Sequence, residues 1–432
     1  LEENDVKFKK VCVLGLGYIG LPTASTLATH GLQVVGVDVN PQIVQGLQNG
    51  KLHLYEPGLR TLVQAALRSG NLVVQDTPEP ADAFIIAVQT PFLEDKRADL
   101  RFVRAASEAI VPYLQRGNLV ILESTSPPLT TRQVVAPILE RSGLKAGRDF
   151  YLVYSPERVL PGQILRELIE NARVVGGIDR ASAEAARDLY ATFVRGDIVL
   201  TDCTTAEMVK LMENTFRDVN IALANEFARL ADRLGIDVWE AIALANRHPR
   251  VNILRPGPGV GGHCISVDPW FLVEVAPDLT RLIRAAREVN DSQPDFVVEW
   301  MERTLGRLEG RRVAVLGLAY KPDVDDLRES PAIEVALRLV QAGAQVRAFE
   351  PFKPEAQIPA VPTVTALADA LQDAEILLLL VGHTRLRELN PEEVRTQTSA
   401  RLVFDAVNGW DQTRWQKADF QVWRLGVGRG DV

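Results

Sequence analysis

The stretch "VCVLGLGYIG" at residues 11–20 decides the fold. Its opening run, "VCVLGLG" (11–17), is short, apolar and closed by glycines, as a buried parallel strand should be. Gly15, Gly17 and Gly20 are spaced G-x-G-x-x-G, with Tyr18 and Ile19 between the last two. The first glycine permits the turn. The second lets backbone approach a pyrophosphate, and the third lets the following helix pack on the strand, its free N–H groups facing the phosphates. A helix pattern then runs to about His30, with Gly31 as its stop. "QVVGVD" (33–38) reads as the next strand and ends in Asp38, 18 residues after Gly20. A carboxylate there accepts hydrogen bonds from a ribose 2′-OH and repels a 2′-phosphate, so the expected cofactor is NAD rather than NADP. Alone, the glycine spacing is a weak signal. Its weight comes from the strand–turn–helix context.

Working outward, strands are expected at "NLVVQ" (71–75), "AFIIAV" (83–88), "LVILES" (119–124), "YLVYS" (151–155), "RVVGG" (173–177) and "DIVLT" (197–201), mostly separated by helical stretches. That alternation predicts a doubly wound α/β domain. From about Thr205 to Leu234 the pattern is helical throughout, about thirty residues before Gly235 ends it. At 312–320 "RVAVLGLAY" repeats the first strand and turn, but Ala319 stands where Gly17 did, followed by Lys321 and Pro322. "AQVRAFEP" (344–351), "AEILLLLV" (374–381) and "RLVFDAVN" (401–408) continue the rhythm. The expectation is two Rossmann-like domains with parallel sheets, joined by a central helical region, with boundaries at 1–203, 204–306 and 307–432. Two similar folds with different turns should hold two different ligands.

Bulk composition narrows the function. The 432 residues are 47% hydrophobic and 24% charged, with 48 basic against 56 acidic side chains, a net charge of −8. With no long basic run, a nucleic-acid surface is not expected. No segment reads as a signal peptide, and "ILLLLV" (376–381) is too short to span a bilayer. Cys12, Cys203 and Cys264 lie far apart, so neither a disulfide framework nor a structural zinc is indicated, no metal is expected, and a cytoplasmic setting is.

The residues that carry chemistry are of three kinds. Thr90 in "VQTP" and Thr125 in "ESTSPP" follow predicted strands, where an open parallel sheet binds its ligands, so both are candidate cofactor contacts or ordinary loop hydroxyls. Lys210, Asn214 and Arg217 share a face of the long helix by their spacing of four and three. That face is either a solvated stripe or a ligand row, and Glu207 and Asn214 are odd choices for a helix expected to be buried. In "GPGVGGHCISVDPW" (257–270), Gly257, Gly259, Gly261 and Gly262 lead to Cys264 and give a backbone with little bulk, which allows close approach of a ligand and exposes N–H donors. The thiol is either a small buried hydrophobe or, with N–H donors and a lysine near, a group with enhanced thiolate character. Asp268 before Pro269 is a natural helix cap, a role compatible with one in a site.

These motifs, with "GLGYIGLP", "SPERVLPG", "TAEMVKLMENTFRDVN", "ANRHPRVNIL" and "KPDVDDLRESPA", resemble the UDP-glucose/GDP-mannose dehydrogenase family essentially end to end. The resemblance implies an NAD-binding domain, a central helical dimer interface and a C-terminal domain for the UDP moiety. It implies NAD-dependent, four-electron oxidation of a sugar C6 alcohol to a carboxylate: aldehyde, then thiohemiacetal and thioester on Cys264, then hydrolysis. Lys210 matches the family's acid/base lysine, Asn214 would hydrogen-bond the same oxygens, and Asp268 would position Lys210 or a water. Glu157 and Thr125 match residues that handle the hydrolytic water. The sugar-nucleotide contacts would be Arg158, Val159, Lys210, Asn214, Arg217, His248, Arg250, Gly261 and Lys321, with Arg250 reaching across a homodimer interface and Arg328 near the nicotinamide. His30, His53 and His383 have no case beyond loop or surface positions. Pro161 replaces a second acid found in the UDP-glucose branch, which favours an N-acetylhexosamine. The expected substrate is UDP-N-acetyl-D-mannosamine, then UDP-N-acetyl-D-glucosamine, then UDP-glucose. A non-catalytic nucleotide-sugar sensor is the rival of another class, and a hydroxy-acid dehydrogenase a third reading; neither needs a nucleophilic cysteine.

Overall fold

A computed structural model describes residues 8–54, 56–160 and 162–428. The chain divides into two compact units: one runs up to Glu213 and includes Trp270–Pro277, and the other comprises Asn214–Pro269 and everything from Asp278 on.

The first unit is built on eight strands: β1 Lys10–Leu14, β2 Gln33–Val37, β3 Leu72–Gln75, β4 Ala83–Ile86, β5 Leu119–Leu122, β6 Tyr151–Tyr154, β7 Arg173–Gly177 and β8 Ile198–Asp202. They lie in the order β3-β2-β1-β4-β5-β6-β7-β8. Alternate residues feed the two faces. Val11, Val13, Val34, Ile85, Leu119 and Ile121 enter one core, while Cys12, Leu14, Val35, Phe84, Ile86, Val120 and Leu122 enter the other. Both faces are covered, so these strands read as unbroken apolar runs.

One junction departs from the parallel pattern. β7 runs antiparallel to β6, pairing Val153 with Gly177 and Tyr154 with Gly176. Continued three residues, that register sets Arg173, the first residue of β7, level with Glu157 in the loop that leaves β6. The reversal therefore brings a cation to the carboxyl edge of the first six strands, where ligands bind in folds of this type.

The second unit carries β9 Arg312–Leu316, β10 Gln345–Phe349, β11 Thr363–Val364, β12 Ile376–Leu379, β13 Leu402–Asp405 and β14 Gln421–Arg424, in the all-parallel order β11-β10-β9-β12-β13-β14. The internal repeat is real at the backbone. Gly15 after β1 and Gly317 after β9 have φ of 94° and 90°, a region closed to most side chains. β11 and β14 are edge strands that the sequence reading lacks, because neither is a buried apolar run.

The long helix spans Cys203–Leu234, 32 residues, and Gly235 leaves it with φ 71°. It starts before Thr205 because Asp202 caps it, accepting from the Thr204 and Thr205 N–H groups at 3.0 and 3.1 Å. Among the described residues no helix is long and apolar enough to cross a membrane.

Candidate active site

In the first unit the glycine turn is built for close approach. A Cβ at Gly20 would meet the Gly15 carbonyl oxygen at 1.8 Å, and one at Gly15 would meet the Ala87 oxygen at 2.6 Å, so neither position admits a side chain. Gly17 has no atom within 4 Å of its Cβ position and faces open space. Tyr18 and Ile19 lead into the helix Gly20–Thr29, whose first backbone bonds run from Leu21 to the Gly17 oxygen and from Thr23 to the Ile19 oxygen. Asp38 follows β2 directly and is half-buried. Its Oδ2 accepts from the Leu16 N–H and its Oδ1 from the Asn40 N–H, each at 2.9 Å, which fixes the carboxylate beside the turn. A tight turn, an open second glycine and a fixed acid suit a dinucleotide with a free ribose 2′-OH.

The loops after β4 and β5 are tied together. Thr90 Oγ1 donates to the Thr125 carbonyl at 2.6 Å, and Ser124 Oγ donates to the Val88 carbonyl at 2.7 Å. Both threonines thus lie at the carboxyl edge of the sheet, as expected of ligand contacts.

Behind them is a buried cluster absent from the sequence reading. Arg173 bridges two acids, with Nη2 at 2.5 Å from Glu157 Oε2 and Nη1 at 3.2 Å from Glu123 Oε1. The Tyr190 hydroxyl donates to Glu123 Oε1 at 2.6 Å, and the guanidinium lies 4.2 Å from the Tyr190 ring centroid. One arginine cannot neutralise two buried carboxylates. Burial, opposed by Arg173 and reinforced by Glu157, pushes Glu123 up to about 7. Glu157 lies in this network rather than in a surface Ser-Pro turn. The clue was the "E" opening "ESTSPP", at the end of an apolar strand.

Arg158 pairs with Glu213 at 2.6 Å and also bonds the Ala172 carbonyl, while Val159 packs against the core. Pro161 lies outside the described residues. Lys210 is 8% exposed, and its side chain has no hydrogen-bond or ion-pair partner among the described residues. Glu207 has a structural job: its carboxylate accepts from Leu129 N, Thr131 N and Thr131 Oγ1 at 2.6–2.7 Å, capping the helical segment that begins there.

In the second unit, Asn214 and Asp268 are buried at 1% and 2% exposure. Asn214 Nδ2 donates to Asp268 Oδ2, and Arg217 donates to Asn214 Oδ1. The structure thus joins three of the expected site residues. The Cys264 carbonyl accepts from Asp268 N at 2.8 Å, fixing the turn that carries the thiol. The helix there begins at Asp268 itself, one residue earlier than a cap before Pro269 would give. Cys264 is half-buried and its Sγ lies 3.0 Å from His263 Nδ1. Cys12 and Cys203 are buried, and burial pushes the Cys12 thiol up to about 12.

The glycines around Cys264 serve protein packing. A Cβ at Gly261 would meet the Glu329 oxygen at 2.3 Å and Tyr320 Cβ at 2.9 Å; one at Gly262 would meet the Tyr320 ring at 2.7 Å. The expected close approach of a ligand is, at these two positions, close approach of residues 320–331. Gly257 alone of the four faces open space. Lys321 Nζ sits 5.6 Å from the Tyr320 ring centroid. Arg328 forms a bidentate pair with Asp326, at 2.9 and 2.6 Å. His248 and Arg250 are exposed; the Arg250 N–H reaches His248 Nδ1 at 3.3 Å, and neither side chain makes another hydrogen bond or ion pair among the described residues.

His383 corrects the sequence reading. It is fully buried, not a surface histidine. The Asp323 N–H donates to its Nδ1 at 2.9 Å, so Nε2 carries the hydrogen, 3.1 Å from Glu350 Oε2. Glu350 occupies the place after β10 that Asp38 has after β2. The same Oε2 accepts from the Leu318 and Ala319 N–H groups at 2.7 and 2.9 Å. This second turn spends its donors on its own buried acid, which is therefore not offered to a ribose.

Two nucleotide-type folds, one with an open glycine turn and one with a closed turn, together with a half-buried thiol, define a two-ligand dehydrogenase. Sequence models of the UDP-glucose/GDP-mannose dehydrogenase family match the chain in three stretches: its NAD binding domain at residues 9–194, its central domain at 204–292 and its UDP binding domain at 314–412. The chain belongs to this family and is an NAD-dependent UDP-sugar dehydrogenase. It is 48% identical over 435 residues to the UDP-N-acetyl-D-mannosamine dehydrogenase of Methanocaldococcus jannaschii, covering 99% of each chain. It is also 48% identical over 420 residues to an NDP-N-acetyl-D-galactosaminuronic acid dehydrogenase of Ralstonia nicotianae, covering 95% of this chain and 98% of that one. Among solved structures, the UDP-D-ManNAc dehydrogenase of Pyrococcus horikoshii superposes with a TM-score of 0.89 at 40% identity, covering 98% of this chain and all of the other.

Proposed function

We propose that the protein oxidises the C6 alcohol of UDP-N-acetyl-D-mannosamine to the carboxylate of UDP-N-acetyl-D-mannosaminuronate, a four-electron reaction in two stages. The observation that carries this reading is full-length similarity, at 48% identity, to dehydrogenases named for that substrate. The similarity to relatives named for N-acetyl-D-galactosaminuronic acid supports a second reading, in which another UDP-N-acetylhexosamine is taken. UDP-N-acetyl-D-glucosamine and UDP-glucose follow.

We assign the three parts of the chain, 1–203, 204–306 and 307–432, to cofactor binding, dimerisation with the thiol, and UDP-sugar binding. Gly15, Gly17, Tyr18, Ile19, Gly20, Asp38, Thr90 and Thr125 would hold NAD, with Arg328 at its nicotinamide end. NAD⁺ held there would supply the hydride acceptor for each stage. Lys210 takes the C6 hydroxyl proton and afterwards stabilises negative charge on the oxygen. A buried amine without an ion-pair partner among the described residues suits both tasks: its lone pair takes the proton, and the ammonium so formed faces the oxygen. Cys264 Sγ adds to the aldehyde carbon, so the intermediate stays bonded to the protein until it reaches the acid level. Asn214, held by Asp268 and Arg217, presents a fixed amide to the same oxygens. Glu157, clamped by Arg173, and Thr125 orient the water that cleaves the thioester. Arg158, Val159, Arg217, His248, Gly261 and Lys321 bind the sugar and its diphosphate.

The working unit is a homodimer, to which Arg250 contributes across the interface, in the cytoplasm. Phe216, Leu223, Leu230 and Leu234 support the dimer: they are 42–65% exposed and fall within a narrow arc of the long helix, an apolar stripe that a partner would cover. The test is incubation of purified protein with NAD⁺ and each UDP-sugar in turn. The reading requires two NADH per sugar and fastest turnover with the mannosamine derivative. One NADH per sugar, or preference for UDP-glucose, would overturn it.

A further inference from the structure

His263 stands next to the thiol in both sequence and space. Its Nδ1 is 3.0 Å from Cys264 Sγ, within reach of a sulfur hydrogen bond. The turn that carries both residues is rigid. Ser266 Oγ bonds the Gly262 carbonyl, Asp268 N and Val267 N bond the Cys264 carbonyl, and Gly262 N donates to the Arg328 carbonyl at 3.1 Å. The imidazole is exposed, so it can exchange protons with solvent. Asp326, in the segment after β9, lies within electrostatic range of it. Burial works against the Asp326 carboxylate, but hydrogen bonds from Arg328 and the charge of that arginine outweigh it and hold the carboxyl below its usual range, with a smaller contribution from His263.

We propose that His263 is the proton partner of Cys264. It accepts the thiol proton on Nδ1 as the thiolate forms and supplies it again to the oxygen of the adduct. The step balances. The S–H bond breaks, its proton moves to nitrogen, and the sulfur lone pair forms the C–S bond. The carbonyl π pair moves onto oxygen, which takes the proton to give the thiohemiacetal hydroxyl. No oxidant is consumed. The nearest further titratable group is Tyr320, whose ring packs on Gly262 and whose hydroxyl burial pushes up to about 12; Arg328 and Arg217 act on it by charge, and Lys321 Nζ lies 5.6 Å from its ring. Arginine and lysine side chains already carry their protons near neutral pH and the Tyr320 hydroxyl is pushed up, so of this set the histidine is the group able to take the proton. The inference rests on the reading of Cys264 as nucleophile.

The experiment is the pH dependence of iodoacetamide alkylation at Cys264, read by peptide mass without substrate, in the wild type and in His263→Gln. Loss of the histidine should move the midpoint upward by about one pH unit, a roughly tenfold slower reaction near pH 7, with rates converging at alkaline pH. Convergence shows that the variant is folded and its thiol accessible. Turnover in His263→Gln should fall near neutral pH and recover at alkaline pH, with the KM for sugar unchanged. Coincident alkylation profiles would overturn the role of His263. If instead Cys264→Ser turned over at the wild-type rate, the nucleophile reading would fail while the profile difference stood.

Discussion

Replacing Glu123 with glutamine should change how stability depends on pH. In the folded protein this buried carboxyl is pushed from 4.5 up to about 7, chiefly by burial. A shift of about 2.5 units corresponds to roughly 3 kcal/mol. The sign follows from proton counting. Above about pH 4.5 the unfolded chain releases the Glu123 proton while the folded protein keeps it, so this contribution is full at low pH and is lost as pH rises through about 7. Glutamine has no proton to lose. It retains an oxygen to accept from Tyr190 and Arg173, and its amide takes the place of Oε2, which has no partner among the described residues. Relative to wild type, Glu123→Gln should therefore gain about 3 kcal/mol between about pH 4 and about pH 8. Urea unfolding followed by circular dichroism at several pH values measures the gap. A gap independent of pH would mean that Arg173 keeps both acids ionised, refuting the reasoning.

Three further perturbations test other parts of the molecule. Asp38→Ser removes the acid expected to bind the ribose; KM for NAD should rise about 10- to 100-fold, by loss of charge-assisted hydrogen bonds, and use of NADP should improve. Glu350→Ala strands the Leu318 and Ala319 N–H groups and the His383 Nε2–H, and should destabilise the second unit by roughly 3 kcal/mol, seen as a lower urea midpoint, while His383→Gln should cost less. Phe216→Asp places a charge in the exposed helical stripe; light scattering should report monomers at concentrations where the parent chain is dimeric.

The parts legible in sequence were those governed by short-range rules. The apolar runs, the glycine turn, the acid after β2 and the long helix all follow from local pattern, and the two sheets appeared where the patterns placed them. What escaped depends on distant partners. The antiparallel entry of β7 is set by how the chain returns to the sheet, and only that return brings Arg173 to Glu157. His383 looked like a loop residue because its burial is decided by Glu350 and Asp323, far away along the chain. The glycines before Cys264 read as room for a ligand, but at Gly261 and Gly262 the space is taken by Tyr320 and Glu329, which lie far along the chain.

The most direct test of the chemistry is an acid quench during turnover, followed by mass analysis of the peptide that contains Cys264. The account predicts that a fraction of this peptide carries the sugar nucleotide as a thioester, released by hydroxylamine. An unmodified peptide at every time point, together with Cys264→Ser enzyme that forms the carboxylate as fast as wild type, would contradict it.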